Sequence, residues 1–158
     1  MTADRKKLDS KLERQYFHTY VQLVRNSVDT KMFRNFYVYI ERAGEGDALA
    51  DGDNSCAFFV SAVLAMFKKI DGMHGTVQNT VNDLEKSGWQ TVSRPKLGDV
   101  LVWEAREFTD GTYEHIGFYV GEGKAVSTSM HEKRVVEHGM HFGTDQRKIK
   151  KIYRMEKW

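Results

Sequence analysis

The single cysteine of the chain, Cys56, stands where a nucleophile could be activated. It follows the segment AGEGDALADGDNS, a loop rich in turn-forming residues, and it opens the apolar run CAFFVSAVLAMF. The run is too long for a typical strand and predicts a helix buried on all sides. Free backbone N–H groups and the dipole at the start of such a helix stabilise a thiolate and lower the pKa of the thiol. Cys56 is therefore a candidate nucleophile, and the alternative is a small core residue.

A cysteine nucleophile needs an imidazole that takes its proton, and the chain has six histidines. His115 differs from the others because it lies in an alternating, strand-like stretch, EHIGFYVGEGKAVSTS. Gly117 follows two residues later on the same strand face, where the missing side chain leaves an open pocket beside the ring. His115 is therefore the candidate base, and the alternative is a partly exposed strand residue.

Three blocks that occur in this order, SCAFFVSAVL, GDVLVWE and HIGFYVGEGKAVS, resemble the NlpC-type papain-like cysteine peptidases. The resemblance covers residues 54–129, about half of the chain. It implies a papain-like fold in which the cysteine-bearing helix packs on a sheet that carries the histidine. It also implies Cys56 as nucleophile, His115 as general base, and cleavage of amide bonds in bacterial cell-wall peptides.

The third catalytic position of that family is usually a polar residue, commonly histidine, twelve residues after the catalytic histidine. In this chain the position is Ser127. Its hydroxyl can accept the far N–H of the His115 ring, although a hydroxyl holds an imidazolium less well than a second ring or a carboxylate does. His131 and His138 are the alternatives for this third role.

The register of the predicted hairpin bears on the role of Ser127. A three-residue turn over 121–123 pairs Val120 with Lys124, so that Gly117 faces Ser127 and Ser127 becomes a diagonal neighbour of His115. A two-residue turn would shift the register by one residue and bring other side chains to the His115 face. The family spacing agrees with the three-residue turn.

An oxyanion hole would use the backbone N–H of Cys56. The resemblance implies a second donor from an upstream tyrosine, for which Tyr37 and Tyr39 are the candidates. The alternative is that both are core aromatic residues of a helix, which suits Tyr37 better because it lies on the apolar face of that predicted helix.

Metal binding is a second possible chemistry, since three histidines lie near two glutamates in the sequence: His131, His138, His141, Glu132 and Glu137. Their spacing matches no standard motif, and the alternative is solvated loop histidines. We therefore expect no metal and no other cofactor.

The elements that must position these residues are helices in the first half and strands in the second. Apolar periodicity predicts helices over Arg5–Val28, from Thr30 to Arg42, over Cys56–Phe67, and from Thr76 to Gly88. After Pro95 the pattern alternates and predicts an antiparallel sheet with RKIKKIYRM as an edge strand. The expected fold class is α+β in a single domain, with N-terminal helices over residues 1–45 and the papain-like catalytic core over 46–158.

Composition excludes several classes of protein. The chain has 158 residues and a net charge of +2, which is too small to favour nucleic acid as the main partner. No apolar stretch is long enough to span a membrane, and the first residues lack the apolar core of a secretory signal. We therefore expect a protein that acts where it is made, leaves by another route, or is numbered without its leader.

The expected function is a cysteine hydrolase that cleaves a peptide or amide bond of peptidoglycan stem peptides, with a peptide or muropeptide as substrate. One alternative is an inactive papain-like module that binds through a basic C-terminal segment, which is otherwise a solvated face: Arg147, Lys148, Lys150, Lys151, Arg154 and Lys157. The other is a thiol acyltransferase, which would pass the acyl group to an acceptor other than water.

Overall fold

The computed structural model describes residues 13–158, which contain three α-helices: α1 (Tyr16–Asn26), α2 (Cys56–Met66) and α3 (Val77–Lys86). The helix predicted from Arg5 is confirmed over α1, and its first part lies outside the described residues. The helix predicted from Cys56 is confirmed, as is the one that starts at Thr76, whose hydroxyl accepts a hydrogen bond from the Asn79 N–H.

The strands form a two-stranded hairpin and a six-stranded antiparallel sheet. The hairpin pairs β1 (Tyr37–Ile40) with β2 (Gly44–Asp47). The strands of the sheet are β3 (Gln90–Thr91), β4 (Val100–Phe108), β5 (Gly111–Gly121), β6 (Lys124–Ser129), β7 (Arg134–Gly139) and β8 (Ile149–Arg154). Their order across the sheet is β3-β8-β4-β5-β6-β7. The α+β fold class is therefore confirmed.

The last strand, β8, was expected at the edge of the sheet, and this prediction is wrong. β8 pairs with β4 on one side and with the two-residue strand β3 on the other. The exposed Lys150 and Lys151 therefore do not mark an edge, because β8 has a neighbouring strand on each side. Ile152 and Tyr153, which follow them, are buried.

The cysteine-bearing helix α2 packs on β5 and β6. Its apolar side chains are buried nearly all round, and the Phe59 ring meets the Phe118 ring of β5 edge-on at a centroid distance of 5.3 Å. A second apolar cluster, which contains Leu101 and Trp103 of β4, covers the other face of the sheet. Apolar residues on both faces fix the sheet in place and with it the strands that carry the candidate site.

The hairpin of β1 and β2 replaces the predicted second helix and part of the predicted loop. The residues YVYI are aromatic and β-branched, which suits a strand as well as a helix face. The Asp47 carboxylate then decides the local structure, because it accepts hydrogen bonds from the backbone N–H groups of Phe36, Leu49 and Asp51. Although partial burial opposes ionisation, these bonds and one from Asn35 lower the pKa of Asp47 to about 2.

Across residues 13–158, no helix has the length and apolar character needed to cross a membrane.

Candidate active site

A cavity of about 850 Å³ lies beside the first turn of α2 and the strands β5 to β7. It is lined by the side chains that the sequence singles out, Cys56, His115, Ser127 and His138, and also by Arg147. The volume is in the range of small-molecule and peptide-binding sites. The cavity thus brings a thiol and two imidazoles to one place.

Cys56 is the first residue of α2, as predicted, but its thiol is not acidified. Burial raises the pKa of the Cys56 thiol, and the backbone N–H groups of Ile116 and Ala57 and the charge of Arg147 only partly offset this effect. The expectation of a lowered pKa is therefore wrong. The Ser55 hydroxyl makes no capping bond to the helix, so no side-chain cap competes with a developing negative charge for the first-turn N–H groups of α2.

His115 lies on β5, directly opposite Trp103 of β4. Burial lowers the pKa of His115 to about 3, and the charges of Arg147 and His138 act in the same direction. The Trp103 ring lies 5.4 Å from the His115 ring, measured between centroids. Both members of the candidate pair therefore rest uncharged near neutral pH.

The register of the β5–β6 hairpin is the predicted one away from the turn. Phe118 pairs with Val126, and the same register sets Gly117 opposite Ser127. The three-residue turn predicted over 121–123 is wrong, because Gly121 rather than Val120 pairs with Lys124 and two residues form the turn. A register shift between Tyr119 and Gly121 restores the predicted pairing beyond it.

Gly117 does not leave an open pocket, which corrects that expectation. A Cβ atom at Gly117 would lie 2.7 Å from the Val126 carbonyl oxygen and 2.8 Å from the Ser127 Cβ. The glycine is needed instead because β5 and β6 approach each other closely there. This close approach brings Ser127 within reach of His115.

A row of hydrogen bonds joins His115 to a second imidazole through Ser127. The Oγ of Ser127 lies 2.9 Å from Nε2 of His115 and 2.7 Å from Nε2 of His138. Nδ1 of His138 lies 2.8 Å from the Gly139 carbonyl oxygen, which can only accept, so Nδ1 carries the hydrogen. Nε2 of a neutral His138 is then an acceptor and takes the single hydroxyl hydrogen of Ser127.

The same reasoning fixes the tautomer of His115. Because Ser127 donates to His138, its oxygen accepts from His115, whose hydrogen therefore lies on Nε2 and whose Nδ1 is unprotonated. Nδ1 makes no hydrogen bond within residues 13–158. Every side-chain nitrogen there that is sealed from solvent has a hydrogen-bond partner, so Nδ1 is not sealed and is open to the cavity. The row of bonds thus leaves a basic lone pair in the cavity that Cys56 lines.

Aromatic rings hold the second imidazole in place. The Phe142 ring stacks on His138 with centroids 4.0 Å apart and planes 17° apart. The Trp103 indole N–H donates to the Met140 carbonyl oxygen at 2.7 Å, which ties the segment before Phe142 to β4. Sequence reasoning missed Trp103 and Phe142, because they meet only when β4 and the segment after β7 come together.

Of the alternatives for the third position, the structure joins His138 to Ser127 and leaves His131 exposed at the cavity wall. Tyr37 and Tyr39 are 62% and 81% exposed on the separate hairpin and do not line the cavity. Neither is therefore placed to complete an oxyanion hole, and Tyr37 is not a core residue.

Arg147 is a cavity residue that sequence reasoning missed. It was expected on a solvated basic face, but it is only 8% exposed. Its Nε donates to the Glu104 carbonyl oxygen and its Nη2 to the Tyr113 carbonyl oxygen, both at 3.0 Å. Burial lowers the pKa of its guanidinium. A uniform run of basic residues carries no signal for which member turns inward.

Histidine and carboxylate side chains do not gather into a metal site. Within the described part of the chain, no three His, Cys, Asp or Glu residues lie close enough together to hold a metal ion. The alternative set around His131, His138 and His141 is therefore not assembled.

The fold and the cavity define an α+β protein with the groups that acyl transfer uses, namely a thiol at a helix start and an oriented imidazole. Residues 31–157 match the family model described as bacteriophage peptidoglycan hydrolase. The chain belongs to this family, which supports a cell-wall hydrolase. The curated proteins include no match to the chain.

Proposed function

We propose that the chain is a cysteine hydrolase of the NlpC-type, papain-like kind, which cleaves a peptide or amide bond in peptidoglycan stem peptides. The observation that carries the proposal is the row of hydrogen bonds that leaves Nδ1 of His115 unprotonated in the cavity lined by Cys56. The family membership supplies the polymer on which the enzyme acts.

The first step starts from a neutral pair. The raised pKa of Cys56 and the lowered pKa of His115 keep the proton on sulfur at rest. As Sγ attacks the substrate carbonyl carbon, the thiol proton moves to Nδ1 of His115 and the carbonyl π electrons move to oxygen. The first-turn N–H groups of α2 stabilise that oxyanion.

Collapse of the tetrahedral intermediate completes acylation. The oxyanion re-forms the carbonyl, the C–N bond breaks, and the leaving nitrogen takes the proton from Nδ1, which leaves a thioester on Cys56. Water then attacks the thioester and gives a proton to Nδ1, and the departing sulfur takes that proton back. The net change is one amide and one water converted to a carboxyl group and an amine.

Ser127 and His138 act together as the third catalytic position. Ser127 accepts from Nε2 of His115 and fixes the ring, while His138 polarises the hydroxyl from β7. The imidazole that the family usually has at position 127 is thus supplied from the next strand. Ser127 is fully buried beside Gly117, so a histidine would not fit there.

The test is incubation of the wild type, Cys56→Ser and His115→Ala with purified peptidoglycan, followed by mass spectrometry of the released fragments. We expect new amino and carboxyl ends from the wild type, and a loss of about 10²–10⁴-fold in rate for His115→Ala. A new free carboxyl end identifies hydrolysis, and a new amide at that end identifies acyl transfer.

The matched control is His18→Ala, because His18 is exposed on α1 and does not line the cavity. It should keep the wild-type rate. Unchanged cleavage by folded Cys56→Ser would contradict the nucleophile, and binding of peptidoglycan without cleavage by the wild type would favour the binding module.

A further inference from the structure

Arg147 is a buried cation without an anionic partner among the described residues. It is only 8% exposed, and it forms no salt bridge within residues 13–158. Two backbone carbonyl oxygens accept from its Nε and Nη2. A guanidinium has five N–H donors, so three remain free. Buried charges are ordinarily paired, which makes this exception informative.

The carboxylates closest to Arg147 in sequence and space are engaged elsewhere. Asp145 accepts from Arg106 at 2.5 Å, and the Glu104 carboxylate accepts from the Lys148 backbone N–H at 3.0 Å. Neither forms an ion pair with Arg147. Both carboxylates favour the charged guanidinium only from beyond ion-pair distance. Arg147 lines the cavity, where its charge lowers the pKa of both Cys56 and His115.

We propose that Arg147 is a specificity-determining residue that binds a free carboxylate of the substrate peptide beside the bond that is cleaved. This inference rests on the proposed function and names the substrate feature that the same cavity selects. The free edge of the guanidinium offers paired donors, and a carboxylate accepts such a pair with two parallel hydrogen bonds.

A substrate carboxylate fits the site better than a transition-state oxyanion does. Desolvation acts on Arg147 throughout the catalytic cycle, so a permanent anion compensates for it from the moment of binding. The oxyanion exists only briefly and already has the first-turn N–H groups of α2. A bound carboxylate acts on substrate and transition state alike, so its loss appears mainly in KM.

The experiment compares synthetic stem peptides that differ only in their carboxylates, each of which is replaced in turn by a carboxamide. Wild-type kcat/KM should fall about tenfold or more for one of these amidated peptides, mainly through KM. Arg147→Gln should cleave the carboxylate peptide and that amidated peptide at similar rates. Arg147→Lys, which keeps a single charge but not the fork of donors, should retain part of the preference.

Arg25→Gln is the matched control, because Arg25 also donates to a backbone carbonyl oxygen, that of Val120, and does not line the cavity. It should keep the wild-type preference. Circular dichroism checks the fold of each variant. The ratio of wild-type kcat/KM for carboxylate and carboxamide peptides tests the inference even if a variant does not fold.

Three outcomes would overturn the inference and leave the proposed hydrolase activity intact. They are equal cleavage of all peptides by the wild type, an unchanged preference for the carboxylate peptide in Arg147→Gln, and a loss of kcat in Arg147→Gln that is the same for carboxylate and amidated peptides. Failure of the proposed function is different, since no peptide would then be cleaved. Calorimetric binding of the same peptides to Cys56→Ala then decides, and equal affinity for both forms would overturn the role of Arg147.

Discussion

Ser127 has one hydrogen to donate and two imidazoles within reach, so the direction of each bond depends on the other. If the two bonds act in series, removal of either Ser127 or His138 breaks the same row. The energetic value of one member then depends on the presence of the other.

We therefore predict that Ser127→Ala and His138→Ala each lower kcat roughly tenfold, which is the size of one ordinary hydrogen bond. The double variant should lose little more than the worse single variant. Steady-state kinetics of the three variants measures the coupling. Losses that multiply would show that the two residues act independently.

Among single residues, Cys56, His115 and Ser127 could be predicted as candidates from motif spacing, because each lies inside a short continuous block of sequence. The connection of His138 to Ser127 and the inward position of Arg147 depend on contacts between segments far apart in the chain. The resting pKa of Cys56 also depends on burial by the surrounding fold, which opposes the local effect of the helix start.

At the scale of elements, the site depends on how closely β5 and β6 approach at Gly117. The antiparallel pairing of β5 with β6 extends from the turn to Phe118 and Val126. Beyond that point the Ile116 N–H acts on the Cys56 sulfur, so the thiol of α2 lies against β5 where the ladder ends. The helix that carries Cys56 and the strand that carries His115 thus meet at this place.

Gly117→Ala should lower the free energy of unfolding by about 1–3 kcal/mol and reduce turnover, because the added Cβ meets the Val126 carbonyl oxygen at 2.7 Å. Gly72→Ala is its control, since a Cβ there meets nothing within 4 Å. Urea unfolding and steady-state rates measure both effects. A Gly117→Ala protein as stable and active as the wild type would contradict the close approach.

The start of α3 could be predicted at this scale because a local rule, the capping threonine, governs it. The β5–β6 register away from the turn was predicted from a three-residue turn, but in the structure a two-residue turn and a register shift together give that pairing. The segment over 37–47 was predicted as helix and loop because YVYI satisfies both periodicities over four residues. The deciding contacts come from Asp47, ten residues away from Tyr37 in sequence.

At the scale of the whole molecule, the sheet has apolar packing on both faces. The helices cover one face, and on the other face residues of the segment after β7, such as Met140 and Phe142, pack against a cluster that contains Trp103. That segment leads to Arg147 and is tied to β4 through Trp103. This face therefore holds both an apolar cluster that packs on the sheet and residues of the candidate site.

Trp103→Phe should cost about 1–3 kcal/mol in stability, because it leaves the Met140 carbonyl oxygen without its donor, and should also lower activity. Trp89→Phe is matched to it: Trp89 is buried in the other cluster and donates to the Lys69 carbonyl oxygen at 2.9 Å. It should cost similar stability and spare turnover. If both folded variants lost turnover to the same extent, the proposed difference between Trp103 and Trp89 in their effect on the site would be wrong.

Both hydrogen bonds in the row from His115 through Ser127 to His138 are donated toward His138, and protonation of His138 in acid reverses their direction. When Nε2 of His138 gains a proton, the Ser127 oxygen must accept there, and its hydrogen turns toward Nε2 of His115. A neutral His115 then carries its own hydrogen on Nδ1, so the base is blocked without any change in its charge. Since burial lowers the pKa of His138, the switch belongs below the ordinary histidine range, and nitrogen NMR of His115 across pH would show the change of tautomer. We therefore predict that acid limits activity through His138 on β7, one hydroxyl away from the proposed base His115.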